Sequence, residues 1–99
     1  MNIIKNSEGS ALTVLLEGRL DTNTAPQLEN ELKDCLDNVT VLTIDMKSLD
    51  YLSSAGLRVL LATQKKMNSI KGKMIVKNVN EIIMEVFEVT GFVDVLTIE

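Results

Sequence analysis

Two adjacent serines, Ser53 and Ser54, precede the small residues Ala55 and Gly56 and then an apolar-periodic run from Leu57 to Met67. A hydroxyl at the mouth of a helix has two ready uses. It accepts one of the orphan backbone N–H groups of the first turn, or it stands exposed for another protein to modify. One cap needs one oxygen, and here there are two, with Ala55 and Gly56 leaving the helix start uncrowded. A third use, as a nucleophile helped by Asp21, Asp45 or Asp50, needs a base. The chain has no histidine, which closes off the Ser–His pair, histidine general-base chemistry and most zinc sites. No lysine is suitably placed to replace it. No catalytic residue, metal or cofactor is therefore expected.

The single cysteine, Cys35, shares the apolar side of a helical pattern with Leu28, Leu32 and Leu36, so it reads as a core thiol, and no disulfide framework is possible within the chain. A reducing compartment fits that usage. Net charge is -4 with the lysines scattered, which gives no electrostatic footprint for nucleic acid. Tyr51, Phe87 and Phe92 are the only aromatic residues, too few for a stacking platform under single strands. Met1 to Ser10 lacks the uninterrupted apolar stretch of a signal peptide, and no run approaches the length of a membrane span. A soluble, cytoplasmic chain with no nucleic-acid or membrane partner is expected.

The elements that must position the serines follow from hydrophobic period and turn chemistry. Asn2 to Asn6 and Ala11 to Glu17 read as antiparallel strands joined by Ser7-Glu8-Gly9-Ser10. Thr24-Ala25-Pro26-Gln27 reads as a capping box opening a helix that runs to about Asp37. Val39 to Met46 is a β-branched central strand, Lys47 to Leu52 a loop, and about Ser54 to Ser69 a helix apolar enough to be covered twice. After the turn Lys71-Gly72-Lys73 come a short strand, Met74 to Lys77, and a helix, Val79 to Val89, whose core face is Val79, Ile82, Ile83, Val86 and Phe87. Gly91 stops that helix, Phe92 folds back on its last turn, and Val93 to Ile98 is read as a final strand or a short helix.

This alternation predicts one α/β domain spanning residues 1–99, a mixed sheet of four to five strands with helices packed on it. If the strands ending at Glu17, Asp45 and Lys77 are parallel, the loops Gly18 to Asn23 and Leu49 to Ser54, together with Asn78, emerge on one rim.

On that rim lies a resemblance. Leu49-Asp50-Tyr51-Leu52-Ser53-Ser54-Ala55-Gly56-Leu57 is similar to the signature of the anti-sigma factor antagonists, the bacterial branch of the STAS domain family. Glu17-Gly18-Arg19-Leu20-Asp21 with Thr24-Ala25 resembles the family's Gly-x-Leu-Asp-x-x-x-Ala loop, and Thr90-Gly91-Phe92 the turn after its last long helix. The similarity runs the length of the chain.

The resemblance implies a non-enzymatic partner-switching regulator. Unmodified, such an antagonist binds a serine-kinase anti-sigma factor and frees a sigma factor; phosphorylation by that kinase releases it, and a serine phosphatase resets it. Carried over, the acceptor is Ser54, two residues before the motif glycine Gly56, with Ser53 as second choice. The family's aspartate before the acceptor is replaced here by Ser53. Asp21 matches the family loop, and the expected partner surface is Asp21, Asn23, Ser53, Ser54, Gly56 and Arg58, with Lys65 and Ser69 continuing it at helical spacing. The alternative is a STAS scaffold or ligand-binding subunit that uses the same surface without being phosphorylated.

Overall fold

In the computed structural model, which describes residues 1–99, the N-terminal alternation closes into a hairpin. Strand β1 (Asn2–Glu8) pairs antiparallel with β2 (Ala11–Leu20) through the two-residue turn Gly9-Ser10, shorter than the four residues expected. Helix α1 (Ala25–Cys35) stops two residues before Asp37, and then come β3 (Val41–Leu52), α2 (Ser54–Ser69), β4 (Lys73–Lys77) and α3 (Glu81–Thr90). Both forms expected for Val93 to Ile98 occur in part: a 3-10 turn at Phe92–Asp94 leads into a two-residue strand β5 (Thr97–Ile98).

The sheet order is β1-β2-β3-β4-β5, with every pair after the first parallel. Each crossover steps in the same direction, so right-handed connections place all three helices on one face of the sheet. Burial follows that division. Leu12, Val14 and Leu16 of β2, Leu42, Ile44 and Met46 of β3, and Met74 and Val76 of β4 are buried beneath the helices, whereas the alternate residues Thr13, Leu15, Thr43 and Ile75 are only half-buried. Leu28 of α1, Leu60 and Met67 of α2 and Ile83 and Phe87 of α3 complete the core from the helical side. Cys35 lies at its edge, half-buried with Sγ 3.8 Å from the Leu32 carbonyl, rather than inside it; desolvation pushes its thiol pKa up, away from reactivity.

The largest departure from expectation is β3. Lys47 to Leu52 is strand, not loop, because β3 carries two extra residues against β2: pairing passes from Leu15↔Asp45 to Glu17↔Ser48, and from Gly18↔Leu49 to Arg19↔Tyr51. Each irregularity resets the pleat, so the buried positions run Met46, Leu49, Leu52 at intervals of three, and a period-two reading loses the strand there. On β2, Gly18 lies between the two shifts at φ +104°, a backbone region that residues with a Cβ rarely occupy. The extra length carries β2 and β3 beyond β4 and projects the serine pair from the rim.

Candidate functional site

The β2–α1 and β3–α2 connections meet at that rim. The Ser53 N–H donates to the Leu20 carbonyl at 2.9 Å, which extends the β2–β3 pairing by one bond and ties the Asp21 turn to the start of α2. Ser53 is the cap: its backbone is extended (φ -96°, ψ 173°), its Oγ accepts from the Gly56 N–H at 3.4 Å, and its carbonyl accepts from the Leu57 N–H at 3.0 Å. Ser54 is the first helical residue. It is exposed, and no protein group hydrogen-bonds its hydroxyl. The two hydroxyls thus differ in environment, one oxygen in the fold and the next in solvent.

Gly56 explains how the helix start comes so close to the sheet. A Cβ there would lie 2.6 Å from Leu20 Cγ and 2.8 Å from Leu52 Cδ1, both buried core side chains. Gly56 itself is buried, so among the expected docking residues it shapes the surface by seating α2 on Leu20 and Leu52 rather than by presenting atoms of its own.

Asp21 orders the neighbouring turn. Its Oδ1 accepts from the backbone N–H of Asn23 (2.9 Å) and of Thr24 (3.1 Å), while Thr24 Oγ1 accepts from the Asp21 N–H (2.8 Å) and donates to the Arg19 carbonyl (2.8 Å). The Thr24 backbone N–H, foremost among these partners, favours the carboxylate form and holds the Asp21 pKa below its ordinary value. This arrangement replaces the expected capping box. Thr24 has helical φ and ψ and makes no cap bond, and Gln27 instead sends Nε2 to the Met1 carbonyl at 3.0 Å. The competing Asx turn wins because Asp21 satisfies two backbone N–H groups at once. Asn23 is exposed on the same turn.

Arg58 is exposed one turn after Ser54 and makes no ion pair within 4 Å. It lines a cavity of about 410 Å³ with Thr22, Pro26, Glu29 and Ala55, between the first turns of α1 and α2. A second cavity of about 410 Å³ shares Glu29, Val59 and Ala62 with the first and continues to Leu36 and Lys66, so one open groove leads away from the serine end between the two helices. Lys65 and Ser69 are exposed farther along α2, and Ser69 Oγ donates back to the Lys66 carbonyl at 2.7 Å.

Arg19, Tyr51 and Asn80 also shape the rim, and none of them is among the expected site residues. Arg19 lies over the Tyr51 ring, 4.2 Å from its centroid, with Nε 3.7 Å from Asp21 Oδ2. The two residues are cross-strand partners only because of the bulged register, which no local pattern announces. Asn80 is the N-cap of α3, its Oδ1 accepting from the Ile83 N–H at 2.9 Å and its Nδ2 donating to the Leu49 carbonyl at 3.0 Å. An asparagine three residues before Ile83 carried that signal. Asn78, expected beside the other two loops, instead binds Asp45 Oδ1 at 3.0 Å, lower on β3, because β3 extends past the end of β4.

The STAS domain family model matches residues 2–99. The anti-sigma-B factor antagonist of Bacillus subtilis is 30% identical over 101 residues, covering 99% of this chain and 92% of that protein. Among solved structures, the anti-sigma factor antagonist SpoIIAA in its unphosphorylated form superposes with a TM-score of 0.79 at 16% identity, covering 99% of this chain and 87% of the other. The phosphorylated form of the Bacillus cell fate determinant SpoIIAA superposes with a TM-score of 0.78 at 17% identity, covering 99% and 91%. No helix of the chain is long and apolar enough to cross a membrane.

Proposed function

Because the chain belongs to the STAS domain family, we propose that it is an anti-sigma factor antagonist switched at Ser54. Unmodified, it binds a serine-kinase anti-sigma factor and frees a sigma factor; a phosphate placed on Ser54 by that kinase ends the complex, and a serine phosphatase restores it. The observation that carries this reading is the division of labour in the serine pair. Ser53 Oγ is committed to the Gly56 N–H, while Ser54 Oγ is exposed and unbonded at the first helical position of the family motif. The antagonist role is supported by the relative from Bacillus subtilis, which bears that name.

Electrostatics favours the same assignment. A phosphate adds about -1.5 to -2 charges, and the N-terminal end of a helix attracts an anion by roughly 0.3–1 kcal/mol, so the isolated domain accommodates it. Ser53 in place of the family's aspartate keeps the cap bond and removes a carboxylate that would repel the new group. Arg58, free of ion pairs four residues on, shares a helix face with Ser54. A partner packed on the bare hydroxyl has no such accommodation: it must desolvate a dianion, and each ~1.4 kcal/mol so lost is tenfold in affinity. Asp21 and Asn23, on the turn that follows the Leu20 carbonyl bound by Ser53, together with Ser53 and Arg58 form the rest of the proposed docking surface.

The experiment is intact-mass measurement after incubation with the cognate kinase and ATP, paired with binding of the kinase to each variant. One phosphate is expected on the native chain and none on Ser54→Ala, which still binds, whereas Ser54→Asp binds more weakly. A full mass gain on Ser54→Ala moves the acceptor to Ser53 or elsewhere. No gain on the native chain, with binding retained, selects the alternative of an unphosphorylated scaffold or ligand-binding subunit.

A further inference from the structure

Ile82 was expected in the core face of α3 and is instead 68% exposed, and Val89, two turns on, is 80% exposed. Helical geometry places Ile82, half-buried Val86 and Val89 within about 60° of arc, a stripe roughly 10 Å long. Glu81, Glu85 and Glu88, all exposed, occupy the next 60° or so on the side away from the core. The helix Glu81–Thr90 contains no lysine or arginine to neutralise them. A shallow depression of about 300 Å³ runs along the stripe, lined by Ile82, Glu85, Val86, Val89 and Thr90. Two nearly uncovered β-branched residues on a surface helix mark a binding face more than a folding requirement, since their burial contributes nothing to this core.

We infer that the outer face of α3 is a second docking surface, and that its occupant is an amphipathic helix of another protein with apolar residues along its centre and Lys or Arg along one edge. The acidic edge decides the chemistry. A second copy of this chain in an antiparallel twofold pair would set the two glutamate edges against each other, and a parallel pair of these helices would offer them no cation. An anionic lipid surface is repelled by the same three carboxylates. A basic-edged helix satisfies both halves of the surface, burying the stripe and pairing the glutamates. None of the residues lining the depression belongs to the β3–α2 connection that carries Ser54, so the surface is expected to hold a partner whether or not the acceptor is modified.

The test uses the full chain and two synthetic helical peptides with the same leucine stripe, one edged with lysine and one with glutamate, followed by fluorescence anisotropy. The lysine-edged peptide is expected to bind and the glutamate-edged one not, with affinity falling as salt is raised. Val89→Asp is expected to weaken binding about tenfold or more even though it adds negative charge, which separates docking on the stripe from simple attraction to an acidic protein. Glu85→Lys with Glu88→Lys is expected to reverse the preference between peptides, and Ser54→Asp to leave it unchanged. Binding of the lysine-edged peptide that survives Val89→Asp overturns the inference, as does equal binding of both peptides. A dimer that Val89→Asp dissolves in sedimentation would assign the surface to a second copy, and adsorption to phosphatidylglycerol vesicles lost in Val89→Asp would assign it to a membrane; either result overturns the inference too.

Discussion

Ser53 and Ser54 differ by one residue and by everything that matters to their chemistry. Ser53 has extended φ and ψ and directs Oγ at the Gly56 N–H; Ser54 has entered the helix, and its side chain is directed to solvent. Their substitutions should therefore separate. Ser53→Ala removes a cap and is expected to cost about 1 kcal/mol of stability, toward the low end of the usual range because the 3.4 Å bond is long. Ser54→Ala removes an exposed, unbonded hydroxyl and should stay within about 0.5 kcal/mol of the native chain. Urea denaturation of the two variants checks this, and equal losses would mean that the capping assignment is wrong. The sequence made the choice between cap and free hydroxyl visible as a question, since two hydroxyls precede one helix. Which serine does which depended on where β3 ended, and that was not legible locally.

Among the elements, β3 and α3 show what periodicity conveys and what it omits. The alternation Leu42, Ile44, Met46 declares a strand; Met46, Leu49, Leu52 does not, because two bulges change the interval, and the register that creates them belongs to β2 as much as to β3. For α3 the apolar run Ile82, Ile83, Val86, Phe87 announced a helix correctly but contains two overlapping stripes. The sheet selects the stripe of Ile83 and Phe87, both fully buried, since Asn80 fixes the rotation by binding the Leu49 carbonyl as it caps the first turn. Adjacent isoleucines should then respond in opposite ways. Ile83→Ala opens a cavity and is expected to cost about 2–5 kcal/mol, whereas Ile82→Gln exchanges one exposed side chain for another and should cost less than about 0.5 kcal/mol. Thermal melts of the pair would settle the rotation of the helix, and a large loss on Ile82→Gln would mean that the stripe is core after all.

For the whole molecule, sequential strand order is the governing fact. With every parallel crossover stepping the same way, all three helices share one face and the two longest strands lift the start of α2 clear at the rim, so a charge added at Ser54 meets solvent and the helix terminus before it meets the core. The modified domain should keep its fold and acquire an additional pH dependence around pH 6, above the acidic range in which the Asp21 carboxylate contributes its own. The second ionisation of a phosphoserine lies near pH 6 in an unfolded chain, and the partial positive charge of the α2 terminus favours the dianion, so the folded value falls below it. A depressed folded value means that the extra stability is fully present above about pH 6 and is lost as the pH falls through the folded value. Denaturation of phosphorylated and bare protein at pH 5 and pH 7.5 should show a gap of about 0.3–1 kcal/mol that is present at the higher pH, diminished at the lower, and reduced by salt. A gap of opposite sign would mean that the acidic groups of the rim, Asp21 and Asp50 foremost, outweigh the helix terminus. In that case the phosphate would act on this domain's own stability, and the proposed release of a partner would be coupled to local opening of α2 instead of to repulsion across a rigid interface.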